Sequence, residues 1–214
     1  MATVFLDLWM LGPRSVVLLE QPRHLVSSGK KVPLEVGQLV ADAFIHHMTP
    51  HAERIEVAGS IRRRKEMVGD IEIVMIPKLS RAIDMFGEKT GPYMDSIDKG
   101  IQSYIDCESV PGTHALVKLN DGSKYIKLHE QLVDVQIDLF VIRKPAQWGP
   151  IISIRTGSAE FSKQLVIALR KQNLRCEDGR VLDENDNQID CPEEINFFRA
   201  AGRKMIAPWL REVK

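Results

Sequence analysis

Asp70 and Glu72 stand two residues apart in a segment whose intervening positions, Ile71, Ile73 and Met75, are apolar. That alternation is the period of a strand with one face in a core. It turns both carboxylates to the same side, about 6.6 Å apart along the backbone. Like charges held so close repel, and a protein that keeps them usually neutralises them with a bound cation. Upstream, Gly59-Ser60 opens onto the basic run Arg62-Arg63-Arg64-Lys65. A Gly-Ser turn entering a helical turn offers backbone N–H groups and a dipole that favour phosphate oxygens. Taken alone, an acidic-x-acidic strand is most often a solvated edge, and a Gly-Ser turn says little. Together, carboxylates facing a phosphate cradle are the parts needed for phosphoryl or nucleotidyl transfer.

The elements that must hold these groups can be read along the chain. Pro33 opens a predicted helix to Met48, with Val36, Leu39, Val40, Ala43 and Phe44 as its apolar stripe, and Pro50 ends it. Arg54 to Val57 forms a strand leading into the Gly-Ser turn. Pro92 to Ile105 reads as a second helix, with Tyr93, Ile97, Ile101 and Tyr104 as core rather than base-stacking groups. Asn120-Asp121-Gly122 signals a hairpin between His114–Leu119 and Ser123–Leu128. Val133 to Ile142 is a long strand offering Asp134 and Asp138 on one face, with Gln136 between them. Glu160 to Gln172 is an amphipathic helix, and Pro192-Glu193-Glu194 starts a short one through Phe198 that ends near Gly202. At the N-terminus, Val4–Leu11 and Val16–Leu19 are candidate edge strands around Gly12-Pro13, and residues 27–31 read as a loop. No function is assigned to residues 1–32.

Composition bounds the partners. The 214 residues suffice for one large domain or two small ones, and 44% hydrophobic with 27% charged residues is an ordinary globular balance. With 29 basic and 29 acidic residues the formal charge is zero, which argues against a strong, sequence-blind nucleic-acid clamp. Any such affinity must come from local charge segregation. Three cysteines, Cys107, Cys176 and Cys191, form no disulfide framework and point to a reducing, intracellular setting. No Cys/His spacing matches a zinc site, no signal peptide is convincing, and no membrane span is expected.

The whole constellation resembles the nucleotidyltransferase superfamily: a hydrophobic-Gly-Ser, then Asp-hydrophobic-Glu-hydrophobic. Gly59-Ser60-x-Arg62-Arg63 with Gly69-Asp70-x-Glu72 narrows the likeness to family X DNA polymerases, the polymerase beta-like group. Arg155-Thr156-Gly157-Ser158 resembles that family's turn between palm and thumb. The acidic-acidic helix at Glu193-Glu194 and the close Pro208-Trp209-Leu210-Arg211 resemble the end of its thumb. The likeness covers roughly residues 33–214, with 77–130 matching poorly.

The resemblance implies an α+β fold: a nucleotidyltransferase palm with a mixed sheet flanked by helices over 33–150, and a small thumb over 151–214, preceded by an extension at 1–32. It implies a compact, viral- or phage-like palm-and-thumb form without a lyase domain, acting as a monomer in the cytoplasm. Asp70, Glu72 and Asp138 would be the catalytic, metal-holding carboxylates for two Mg²⁺ or Mn²⁺ ions. One ion would acidify a primer 3′-hydroxyl and the other bridge the triphosphate of a dNTP. Asp138 would accept the hydroxyl proton, although its separation from Thr156 is one residue longer than the family's; Asp134 is ranked a solvated or neighbouring group. Ser60 and Arg63 would bind the β- or γ-phosphate, and Gly69 would allow close approach beside the metals. Thr156, Gly157 and Ser158 would line the substrate, with a cis peptide at Gly157–Ser158. Arg62 and Arg64 stay open between phosphate contact and a solvated turn. The expected activity is DNA-directed DNA polymerisation that fills short gaps in repair, with gapped or template-primer DNA as partner. A template-independent nucleotidyltransferase acting on RNA, protein or a small molecule is the alternative, and a non-catalytic nucleic-acid module the third. Departures from the family are Glu72 for Asp, Ile154 and Arg155 where an aromatic pair faces the sugar, and Ser162 where many members have Asn.

Overall fold

A computed structural model describes residues 30–83, 85–86, 88–106 and 116–213. The candidate strands of residues 4–19 and Cys107 lie outside them, as do the first residues of the predicted strand at 114–119. Five strands form the central mixed sheet: β2 (Ala52–Val57), β4 (Asp70–Pro77), β9 (Val135–Val141), β8 (Tyr125–Glu130) and β7 (Leu116–Asp121), in that spatial order. β4 and β9 run parallel, and the other neighbours are antiparallel. Two minor pairs flank the sheet. β1 (Val32–Pro33) pairs with β3 (Met67–Val68), and β5 (Leu79–Ile83) with β6 (Lys89–Asp95). Together with the helices this is the expected α+β class.

Alternation sorts the sheet into two faces. Ile71, Ile73, Met75, Ile137, Leu139 and Leu128 point to one side and are fully buried. They pack with Phe44 and Met48 of α1 (Leu34–Met48) and with Ile97, Ile101 and Tyr104 of α3 (Ile97–Ile105). The other face carries the carboxylates at one end. At the far end Val74, Phe140 and Ile142 pack under Trp148 and Ile152 of α4 (Trp148–Thr156). A second core, built on Phe161, Leu165, Leu169, Val181, Phe197 and Phe198, joins α5 (Ala159–Arg170), α6 (Glu194–Ala200) and a small sheet of β10 (Arg175–Glu177), β11 (Arg180–Leu182) and β12 (Gln188–Ile189).

Two expectations need correction. The buried line of α1 is Gly37, Ala41, Phe44 and Met48, while Leu39 is 66% exposed and Ala43 is also exposed. Gly37 lies against Val68, with room for a methyl only at 3.4 Å, so a glycine holds a stripe position that apolar counting passes over. The predicted helix from Pro92 begins only at Ile97. Pro92 and Tyr93 belong to β6, Tyr93 is 64% exposed, and the Asp95 carboxylate accepts the Ile97 N–H to open α3. α4 opens at Trp148, with Trp148 and Gly149 in its first turn.

Candidate active site

Parallel register sets Asp70 opposite Gln136 and Glu72 opposite Asp138. Cross-strand partners project to the same side of a sheet, so the three carboxylates singled out in the sequence share one face on adjoining strands. Asp134 lies outside β9, in a turn with φ 56°, its carboxylate 3.4 Å from His129 Nε2. Burial, then the charge of Asp138, raises the Asp70 pKa above the usual carboxylate range. Glu72 is pushed up to about 7 by burial and then by Asp70, against the opposing pull of Arg155 and Arg63. Among the described residues no three His, Cys, Asp or Glu side chains converge as a ready-made metal cage. Asp138 Oδ1 is instead engaged within the protein, accepting the Tyr125 hydroxyl at 2.9 Å and the Gln136 amide at 2.5 Å. The donor chemistry fits Mg²⁺ or Mn²⁺: every candidate ligand is a hard oxygen, and Asp70 and Glu72 sit where their own charge is penalised.

The entry turn is tied to this face. The Ala58 N–H donates to the Glu72 carbonyl at 2.7 Å, and α2 (Gly59–Arg62) starts there. Gly59 has φ +56°, and a Cβ on it would lie 2.1 Å from Glu72 Oε2. Ser60 is buried at 9% exposure, and its Oγ has no hydrogen-bond partner. A buried hydroxyl left unpaired is costly unless something else meets it, which suits a phosphate oxygen. At Gly69 an added Cβ would meet only Lys31 Cγ, at 3.9 Å, so space beside Asp70 is open.

Within the basic run Arg62 and Arg63 are drawn into the protein, while Arg64 and Lys65 stay exposed. Arg62 grips both carboxylate oxygens of Glu194, at 2.9 and 2.7 Å, and donates to Thr156 Oγ1 at 2.8 Å. Arg63 donates to the Thr156 carbonyl at 2.8 Å and to Glu212. Arg64 lies 4.6 Å over the Trp209 ring, and Lys65 reaches Glu212 at 3.3 Å. Glu194 also accepts Arg211 Nη1 at 2.6 Å, and Arg211 has no exposed surface. Burial pushes the Glu194 pKa up, but the hydrogen bonds and charges of Arg62 and Arg211 outweigh it and hold the carboxyl below its ordinary value. The turn of α2 therefore clasps the C-terminal segment to the sheet.

Thr156, Gly157 and Ser158 form the joint of that clasp. Thr156 is fully buried and ends α4, while Ser158 caps α5 by accepting the Phe161 N–H at 3.3 Å. Ser158 Oγ also accepts the Val213 N–H, and its own N–H goes to the Arg211 carbonyl. The Gly157–Ser158 bond is trans, contrary to expectation; the cis peptide among the described residues is Lys144–Pro145. Gly157 keeps extended angles, φ −68° and ψ 155°, and its N–H closes α4 onto Ser153, so a trans link already carries the chain from one helix to the next.

Sequence reasoning missed Tyr125 and Gln136, and recorded Arg155 only as a departure. Tyr125 stacks on Phe140 at 5.2 Å between ring centroids, and the Arg155 guanidinium lies 3.8 Å over the Phe140 ring. Tyr125, Phe140, Ile154, Arg155 and Arg180 help line a cavity of about 630 Å³. Neither this cavity nor a larger cleft of about 800 Å³ beside Pro77, Tyr93 and Arg143 is lined by Asp70, Glu72 or Asp138. The hairpin signal foretold that Tyr125 sits on a strand, but only the register reveals which residue it faces. Ser162 donates its hydroxyl to the Ile154 carbonyl at 2.7 Å. The chain matches no protein-family model and no curated protein.

Proposed function

We propose that the protein is a metal-dependent nucleotidyltransferase that extends a DNA primer from deoxynucleoside triphosphates, a minimal polymerase of the family X kind suited to short gaps. The observation that carries this reading is the common face of Asp70, Glu72 and Asp138, bordered by Gly59 against Glu72 and by the unpartnered Ser60 hydroxyl. Bound there, two divalent cations would neutralise the triphosphate and acidify the 3′-hydroxyl.

In this reading Asp70, Glu72 and Asp138 hold the cations, and Ser60 Oγ donates to a non-bridging phosphate oxygen. Arg63 adds positive charge from its seat on the Thr156 carbonyl. The 3′-oxygen attacks the α-phosphorus in line, the bond to pyrophosphate breaks, and the hydroxyl proton passes to Asp138. Positioning and charge neutralisation supply the rate, with no covalent intermediate on the protein. DNA and dNTP as partners, and a reducing intracellular compartment, belong to the same proposal. Among the described residues Cys176 and Cys191 are free, and no helix is long and apolar enough to cross a membrane.

The test is primer extension on a gapped duplex with all four dNTPs and Mg²⁺ or Mn²⁺. Asp70→Ala is expected to cut the rate by at least about a hundredfold, the scale of losing one transition-state stabilising group, with circular dichroism unchanged. Incorporation that ignores the opposing base would favour a template-independent transferase. No transfer with either metal would remove the proposal.

A further inference from the structure

We propose that Tyr125 is a positioning residue for Asp138, its hydroxyl and the Gln136 amide together reserving one carboxylate oxygen so that only the other is left for a cation. The inference rests on the nucleotidyltransferase reading and adds a residue to it.

A carboxylate oxygen has two lone pairs. Asp138 Oδ1 already takes two donors, Tyr125 Oη at 2.9 Å and Gln136 Nε2 at 2.5 Å. Both pairs are spent, so Oδ1 cannot also face a metal, and Oδ2 is the oxygen available. Two donors arriving from different strands also stop the carboxylate from rotating about its Cβ–Cγ bond.

The tyrosine is itself fixed. Its ring lies nearly parallel to Phe140, at an interplanar angle of 21°, and Phe140 also receives the Arg155 guanidinium at 3.8 Å. Arg155 comes from α4, Phe140 from β9 and Tyr125 from β8. Three elements thus fix where one hydroxyl points. Partners that orient a metal ligand from behind typically change metal affinity or activity by about 10- to 100-fold when removed.

Tyr125→Phe removes the hydroxyl and leaves the ring stack. The measurement is Mn²⁺ uptake by the full chain, read from loss of the free-ion electron paramagnetic resonance signal, for wild type, Asp138→Asn and Tyr125→Phe. Asp138→Asn should lose the site, and Tyr125→Phe should bind Mn²⁺ about tenfold more weakly. In primer extension the Mn²⁺ concentration for half-maximal rate should rise by a similar factor, with a smaller loss at saturating metal. Gln136→Met, which strips the other donor from Oδ1, should move the same constants in the same direction.

If wild type and Tyr125→Phe bind Mn²⁺ equally while Asp138→Asn does not bind, the positioning role is wrong and the metal reading stands. If wild type and Asp138→Asn bind Mn²⁺ equally, Asp138 is no ligand and the positioning role falls; if neither binds it, the carboxylates hold no cation and both proposals fall.

Discussion

A methyl group at position 59 would have to sit 2.1 Å from Glu72 Oε2, on a backbone with φ of +56°. Gly59→Ala therefore either displaces the carboxylate or unwinds the turn. A non-glycine residue held in that region costs about 1–3 kcal/mol, so urea denaturation should show a loss of that size, together with weaker Mn²⁺ uptake. Glu72 itself makes stability depend on pH. Its folded pKa of about 7 lies above the value near 4.5 of an unperturbed glutamate. With a chelator present, its contribution should be complete below about pH 4.5 and disappear as pH rises through about 7. The loss amounts to at most about 3 kcal/mol. Denaturant midpoints at pH 5 and pH 8 measure it, and Glu72→Gln should flatten the difference. Asp70 and Glu72 were legible because a strand's alternation is written in consecutive residues. Tyr125 was not, because its role depends on a pairing that brings it over Phe140 and beside Asp138.

Between elements, the strongest connection is charged. Arg62 from α2, Glu194 from α6 and Arg211 from the C-terminal segment meet in a cluster where Arg211 is wholly enclosed. Removing one member of a buried pair leaves the other uncompensated, at a cost of about 3–5 kcal/mol. Glu194→Ala should lower stability by that amount, and Glu194→Gln by less, since the amide oxygen still accepts hydrogen bonds. Equilibrium unfolding of the two variants checks the order. The sequence displayed the Glu193-Glu194 helix and the arginine run, but nothing local said that they would meet. Spacing likewise located α5 and α6 closely, because their apolar stripes follow the helical period. It failed at Pro92, where two residues of an exposed ribbon mimic the first turn of an amphipathic helix. It also failed on the Gly157–Ser158 bond, since the expectation came from family likeness and the helix-to-helix geometry here is met by a trans link.

Across the whole molecule, three apolar clusters share the work, one under the central sheet, one beneath α4 on its other face and one within the C-terminal unit. The β5–β6 ribbon belongs to none of them. Met85, Phe86, Tyr93 and Met94 are each more than half exposed. Leu79 and Asp95 pair across its base, so residues 80–94 can be replaced by an Asn-Gly turn without disturbing the neighbours of β4. That deletion should shift the unfolding free energy by less than about 1 kcal/mol, as expected for a change far from buried contacts, and calorimetry would reveal a larger dependence. A division into a sheet unit and a C-terminal unit entered only as what the family likeness implied, and nothing local in the sequence announced the clasp between α2 and the C-terminal segment. The pairing of β4 with β9 has one further implication. These strands are joined by a long detour from Pro77 to Val135; the connections between its elements can lengthen or shorten at little cost so long as α3, β7 and β8, with Tyr125, keep their places beside the two strands. Within β9 the tolerance vanishes. One residue gained or lost ahead of Asp138 would swing that acid into the greasy underside of the sheet and bring a leucine or isoleucine out in its place. Descendants of this protein can therefore resize the connections between those elements, but inside the second strand they must move in steps of two.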